Sequence, residues 1–389
     1  MKVLVLLSRI PWPLEKGDKL RAYHHIKVIA KEHEVILVCL TDAPPHPKAI
    51  ENLSEFCEEI HFIKLSKLGI IWNLATSLFN DKPFQVNYFY QKSAQKKVDK
   101  IIEKHMPRHL FVQLVRTAEY TKKYHVLSST FDYMDAFSMG AERRIDKAIP
   151  GLKTIFTMEA NRLKKYENYI FNHFTHKTII SKTDRDIIEH PDRKKISILP
   201  NGVDFETFTK DDSIQTKYDL VFTGNMSYPP NVKAAHYLAE EIIPILIKTN
   251  PDISLAIAGA DPHTSVKRLA SKNIVVTGWM DEITDAYNQA KIFIAPMQIG
   301  TGMQNKILEA MAMEVPCITS KLAGEAIGAT QSENILIGNS PEEYAEFILE
   351  LLRNQDLSDR LKENALAFVK ENYNWSKNGD ALLELIKSE

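Results

Sequence analysis

Short apolar runs alternate with stretches of helical period along most of the chain. In the first two hundred residues the runs at 3–7, 35–40, 110–114, 126–131, 178–181 and 196–199 read as buried strands, and 18–31 reads as a helix. That alternation predicts a parallel sheet with crossover helices. Leu199-Pro200-Asn201-Gly202-Val203-Asp204 then interrupts the pattern, and a polar stretch, 210–217, follows it. A second alternation has strands at 220–223, 255–258, 274–277, 292–295, 316–319 and 335–337. Helices at 341–353 and 356–372 close it, and the tail 375–386 is amphipathic. The expected organisation is therefore a domain over 1–199, a linker over 200–216 and a second domain over 217–372. Two doubly wound α/β sheets facing a cleft would bring strand carboxyl ends to both of its sides, where open parallel sheets bind ligands.

Composition narrows the class. With 389 residues, 44% hydrophobic and 25% charged, the chain can build two sizeable cores and does not read as disordered. Cys39, Cys57 and Cys317 are odd in number and lack metal-ligand spacing, so packing thiols of a reducing compartment are expected and no metal site is. The opening apolar run is broken by Ser8-Arg9 and reads as a first strand rather than a signal peptide. No apolar run reaches bilayer-crossing length; 68–79 comes closest, and Asn73 interrupts it. Net charge is −1, but residues 1–200 carry 33 Lys and Arg against 23 Asp and Glu, a balance of +10, and the remainder carries −11. A positive first half suits an anionic acceptor or membrane surface, and equally a merely solvated face.

Candidate chemistry concentrates at predicted strand-to-helix corners. Gly300-Thr301-Gly302-Met303-Gln304-Asn305-Lys306 follows an apolar run and enters a helix that continues to Glu309. Glycines let backbone approach a ligand, and a helix start favours an anion. Lys306 and Glu309 share a face, so a nucleotide diphosphate would meet a cation for its phosphates and an acceptor for its ribose; a solvated i,i+3 pair is the plain alternative. The spacing is not that of a Walker loop. Gly224-Asn225 and Gly278-Trp279 end two further strands of the second half, with Gly278 open to a flat base and core packing the rival for Trp279. In the first half, Gly17 and Arg21 stand at a helix start where Asp18 could cap and added basic charge suits a bound anion. Asp132 and Asp135 stand at a strand end as ligands for sugar hydroxyls or as helix caps. Neither first strand-to-helix turn carries a G-x-G-x-x-G fingerprint, which lowers a nicotinamide dehydrogenase.

In this order the landmarks resemble the GT-B glycosyltransferases of family 4, and most of all a bacterial subgroup of exopolysaccharide synthesis whose corner also reads Gly-Thr-Gly, Gln-Asn-Lys, Leu-Glu-Ala-Met-Ala. The landmarks are the Gly17 loop, the 199–204 junction, the Gly224 corner, Ala258-Gly259, Thr277-Gly278-Trp279, and Pro296 through Pro316 with Lys306 and Glu309. The resemblance implies two Rossmann-like domains, a donor nucleotide-sugar in the second, an acceptor in the first and a tail, 373–389, that packs back on the first. It also implies retaining transfer, with no metal or other cofactor expected; the basic first half suits a saccharide or lipid-linked acceptor at the membrane, and with the few thiols points to a cytoplasmic protein, peripheral at the membrane. Lys306 and Asp135 are the expected catalytic residues. Two departures stand out: Thr301 occupies the place of the family's first glutamate, and Asn225 that of an arginine. They leave a non-catalytic nucleotide-sugar binder and a nucleotide-sugar epimerase as alternatives.

Overall fold

The computed structural model describes the chain except for Glu15, Asp146, Lys147, Gly300, Thr301, Gly302, Glu389 and the side chain of Pro150. It divides into two units, Met1–Asn201 with Ser376–Glu389, and Gly202–Trp375.

The first unit holds strands β1 (Lys2–Leu7), β2 (Glu34–Thr41), β3 (Glu59–Lys64), β4 (His109–Gln113), β5 (Ser128–Asp132), β6 (His176–Ile179) and β7 (Ser197–Ile198). They lie in the order β3-β2-β1-β4-β5-β6-β7, and every pairing is parallel. Buried on both faces, β1 and β2 are nearly unbroken Val/Leu/Ile runs, as a doubly covered parallel strand requires. Strand β3 was not expected from sequence. As an edge strand it alternates Ile and Phe with Glu59, His61 and Lys64, so it offers no apolar run.

The helix Trp375–Lys387 supplies Leu382, Leu383 and Ile386 to the core that holds Val3, Val5, Val28 and Leu37. Gly379 permits that packing, since a Cβ there would lie 2.6 Å from a Val28 methyl. Residues 202–216, expected as a linker, group with the second unit instead. Their backbone and side chains are engaged: Val203 N–H donates to Tyr373 O at 2.8 Å, Asp211 N–H donates to Asn288 Oδ1 at 3.1 Å, and Phe205 and Phe208 pack on that unit's core.

The second unit holds β8 (Tyr218–Thr223), β9 (Leu255–Ala258), β10 (Ile274–Gly278), β11 (Ala290–Ala295), β12 (Cys317–Ser320) and β13 (Leu336–Gly338), in the parallel order β10-β9-β8-β11-β12-β13. Strand order reverses between β8 and β11, as it does between β1 and β4 in the first unit. At such a reversal the flanking loops leave in opposite directions and open a crevice at the strands' carboxyl ends.

Candidate functional site

The crevice of the second unit is built from the ends of β8 and β11 and the starts of two helices, Pro229–Tyr237 and Asn305–Ala312. Ile307, Leu308, Ala310 and Met311 bury one face of the latter helix, which turns Lys306 and Glu309 to its partly exposed side. The Lys306 ammonium donates to Asn231 Oδ1 at 2.5 Å and sits 4.8 Å from the centre of the Phe222 ring. Asn231 is buried and fixed in turn, its amide donating to Asn225 O at 2.9 Å. Among the described residues no carboxylate forms an ion pair with Lys306. Burial lowers its ammonium from the ordinary 10.5 to about 7, against the opposing charge of Glu309.

Glycine is required at this corner. Gly224 has φ +146°, and a Cβ there would lie 2.6 Å from Asn231 Nδ2 and 3.0 Å from Lys306 Nζ. Gly259, at φ +136°, leaves no room either, because its Cβ would sit 1.9 Å from Gly224 O. Behind the lysine, the Tyr287 hydroxyl lies 2.9 Å from Thr223 Oγ1 and donates to Glu309 Oε2 at 2.8 Å. Burial raises the Glu309 carboxyl, while the Tyr287 hydrogen bond and the Lys306 charge pull it down. The tyrosine thus holds Glu309 one turn from the cation. The corner combines a partly buried cation lacking a carboxylate partner with a fixed acceptor, an arrangement suited to an anion bearing hydroxyl groups.

The other expected donor residues are distributed unevenly. Gly300, Thr301 and Gly302 lie outside the described residues. Met303 packs against the core, Gln304 stands at the helix N-cap without a side-chain capping bond, and Asn305 Oδ1 is buried without a hydrogen-bond partner. Asn225 braces its own loop, accepting from the Ser227 amide at 2.9 Å and the Ser227 hydroxyl at 2.6 Å. Gly278 has φ +73° with open space where a Cβ would be, so its backbone conformation, not crowding, calls for glycine. Trp279 is 65% exposed and donates to Asp281 Oδ1 at 3.2 Å, which excludes core packing as its role.

Two expectations in the first unit are corrected. Arg21 is expected beside a bound anion and Asp132 as a ligand for sugar hydroxyls, but both side chains are fully buried and bonded to each other. Arg21 Nε and Nη2 donate to the two Asp132 oxygens at 2.8 Å each, and Nη1 donates to Leu199 O at 2.7 Å and Asn201 Oδ1 at 3.0 Å. Thr178 Oγ1 donates to Asp132 Oδ1 at 2.8 Å. Burial acts to raise the Asp132 carboxyl, yet the Arg21 charge and hydrogen bonds, His25 and Thr178 outweigh it and hold it at about 2. This pair ties helix Gly17–Ile29 to β5 and to the chain leaving β7. The cap at that helix is likewise different: Lys16 occupies the N-cap, and Asp18 accepts from Arg9 Nη1 at 2.9 Å. Gly17 meets only Met134 Cε, at 3.4 Å from a hypothetical Cβ, so space does not demand glycine there.

Asp135 differs from its neighbour. Its Oδ1 is buried without a hydrogen-bond partner, and burial together with the Asp184 charge raises the carboxyl to about 7 against the pull of Arg116. A carboxyl poised there can hold or release a proton near neutrality.

Sequence reasoning missed Phe222, Tyr287 and the Asn231 contact. Phe222 and Tyr287 stand in ordinary strand and helix patterns, and only the fold brings them to Lys306 and Glu309. It also missed Glu59, His61 and His105, whose donor atoms lie within 4.8 Å of one another on the β3 edge, the one metal-compatible group among the described residues. Lys104 already reaches both Glu59 oxygens there, at 2.8 and 2.9 Å.

Known proteins are similar over part or all of this chain. Residues 217–354, which carry the Lys306 corner, match the family model "Glycosyl transferases group 1". An uncharacterised 44.6 kDa protein of the Klebsiella pneumoniae cps region is 23% identical over 97% of either chain. A UDP-Gal:alpha-D-GlcNAc-diphosphoundecaprenol alpha-1,3-galactosyltransferase of Escherichia coli is 27% identical over 41% of this chain and 42% of its own. Among solved structures, Anabaena HepE in complex with UDP and glucose superposes with a TM-score of 0.71 at 12% identity over the whole of both chains.

Proposed function

Since this chain is a glycosyltransferase of the GT-B fold with a group 1 domain, we propose that it moves a sugar from a nucleoside-diphosphate sugar to a saccharide or lipid-linked acceptor, with retention of anomeric configuration, in surface-polysaccharide synthesis. The observation that carries the proposal is the Lys306 ammonium, held by Asn231 and Phe222 without a carboxylate partner among the described residues. A uridine diphosphate sugar is the first donor to try, because a structural neighbour of the same fold binds UDP.

In this reading the bond from the anomeric carbon to the diphosphate oxygen breaks, and negative charge grows on the leaving group beside Lys306. Lys306 stabilises that charge together with the amides at the start of helix Asn305–Ala312. Glu309, oriented by Tyr287, accepts from the ribose hydroxyls, and the open backbone at Gly278 takes the base. The new bond forms from an acceptor hydroxyl oxygen, whose proton leaves on the departing diphosphate. No step is assigned to a divalent cation, so turnover should survive a chelator.

The test is a donor panel read by thermal shift and by sugar transfer. A donor at a hundred times its dissociation constant should stabilise the protein by about 2.7 kcal/mol. Lys306→Met should lose about a hundredfold or more in turnover, because a preorganised charge donor contributes about 3 kcal/mol at the transition state. Wild-type turnover by that variant would remove the lysine from the mechanism. Donor binding with neither transfer nor slow donor hydrolysis would favour a nucleotide-sugar binder, and a sugar product formed without acceptor would favour an epimerase.

A further inference from the structure

Helix Lys67–Thr76, continued by the 3-10 turn Ser77–Phe79, faces the wrong way for a helix of a water-soluble core. Its inward side is held largely by polar groups. Asn73 Nδ2 donates to Tyr90 O at 2.6 Å and Asn87 O at 3.1 Å, and Gln91 exchanges hydrogen bonds with the Ser66 backbone at 3.0 and 2.9 Å. Arg162 Nη1 donates to Ser77 O at 2.7 Å, and Ile70 is the large apolar side chain buried beneath. The outward side is apolar. Leu68 is 80% exposed, Trp72 71% and Phe79 90%, with Ile71 and Leu78 also exposed. Leu68, Ile71, Trp72, Ala75 and Phe79 recur at helical spacing, so they form one stripe. An ordinary surface helix turns such a stripe inward, and an outward one marks a surface meant to be covered.

We propose that this stripe docks the protein on an anionic lipid surface. Three observations favour lipid as the occupant. The stripe pairs Trp and Phe with branched aliphatics, the composition that partitions into the headgroup boundary. Exposed Lys64 and Lys67 stand at its start, and residues 60–100 carry seven lysines against two aspartates, within a first half whose balance is +10. The apolar stretch, 68–79, is too short to cross a bilayer, and no helix among the described residues is long and apolar enough to do so. The segment therefore lies on the surface rather than across it. Its inward hydrogen bonds fix the helix before lipid arrives, so docking needs no folding step. The inference is independent of the donor corner, and for the proposed transfer it favours a lipid-linked acceptor over a free saccharide.

The test is sedimentation with vesicles of phosphatidylcholine alone or mixed with phosphatidylglycerol, at low and high salt. The full chain should pellet with the mixed vesicles and less so at high salt. The double variant Trp72→Glu/Phe79→Glu should bind them more weakly, on the order of tenfold or more, while its melting temperature and donor thermal shift stay at wild-type values. Should the double variant fold poorly, Phe79→Ser alone, at a side chain outside the core, should still weaken vesicle binding. A wild type that stays in the supernatant overturns the proposal, and so does folded variant protein that binds vesicles as well as wild type. Light scattering that shows the wild type to be a dimer, with the variant monomeric, assigns the stripe to a second copy and also overturns it. None of these results bears on donor binding, whose failure would be seen separately in the thermal shift.

Discussion

Each unit keeps a basic side chain near the reversal in its strand order, and the two are treated in opposite ways. Arg21 is surrounded by acceptors: both Asp132 oxygens, a carbonyl and an amide oxygen take its donors. Lys306 has one amide oxygen and a ring face, with its ammonium lowered to about 7 by burial. A buried guanidinium whose charge is matched by a carboxylate fastens elements together instead of waiting for a ligand. An ammonium partly withdrawn from water without a counter-ion is costly to the empty protein, and an arriving anion relieves that cost. Sequence alone presents both as cations near helix starts, and only their partners separate a brace from a binding group.

The largest effect that separates them should come from Arg21→Met. It strands the Asp132 carboxylate in the core and should cost about 3–5 kcal/mol of stability, read as a lower denaturant midpoint. Donor affinity per folded molecule should stay unchanged, and a selective loss of that affinity would put Arg21 back at the ligand. Acid should act on the same pair. The Asp132 carboxyl is held at about 2, below its ordinary 3.8, so its contribution is complete above about pH 4 and is lost as pH falls through 2.

A smaller change is expected from Tyr287→Phe. It leaves a Glu309 oxygen and Thr223 without their shared hydroxyl, at a cost of about 1–3 kcal/mol, and should weaken donor binding more than it slows turnover at saturating donor. Unaltered donor affinity would show that the tyrosine only packs.

The smallest effect concerns pH. Because the free Lys306 ammonium sits at about 7, donor binding should draw in a proton and weaken by up to about fivefold between pH 7 and 8 as the corner loses its charge. Calorimetry in buffers of different ionisation enthalpy would report the proton, and Lys306→Arg, which does not titrate there, should flatten the profile. The empty protein should respond in the opposite sense. Its lysine is lowered from 10.5, so the unfolded chain binds more protons between about pH 7 and 10.5, and stability from this group rises with pH across that window. A melting curve for Lys306→Met without that slope would confirm the source.

Much of this architecture was legible because doubly buried parallel strands must be apolar throughout; β1, β2, β9 and β11 declare themselves in that way. Strand β3 did not, since Glu59, His61 and Lys64 make half of it polar and only Ile63 is buried. The Lys306 corner was legible from its glycines and the helix behind them, which are local signals. Its supports were not, because Asn231 and Tyr287 lie 75 and 22 residues from the groups they hold. The Arg21–Asp132 pair spans 111 residues, and the sequence reads it as two separate ligand groups rather than as one ion pair. Spacing along the chain says which side chains share a helix face but not which distant carboxylate will meet a cation. That pairing decides whether a charge is spent inside the fold.

The helix Trp375–Lys387 sets an order of events during synthesis. Leu382, Leu383 and Ile386 complete a core whose other buried members, from Val3 to Leu199, leave the ribosome before the whole second unit does. The second unit is contiguous in sequence and can close as it emerges, whereas the first must wait with part of its apolar surface uncovered. A released chain truncated after Trp375 should therefore show a protected later half and a protease-sensitive beginning, the reverse of the usual vectorial order.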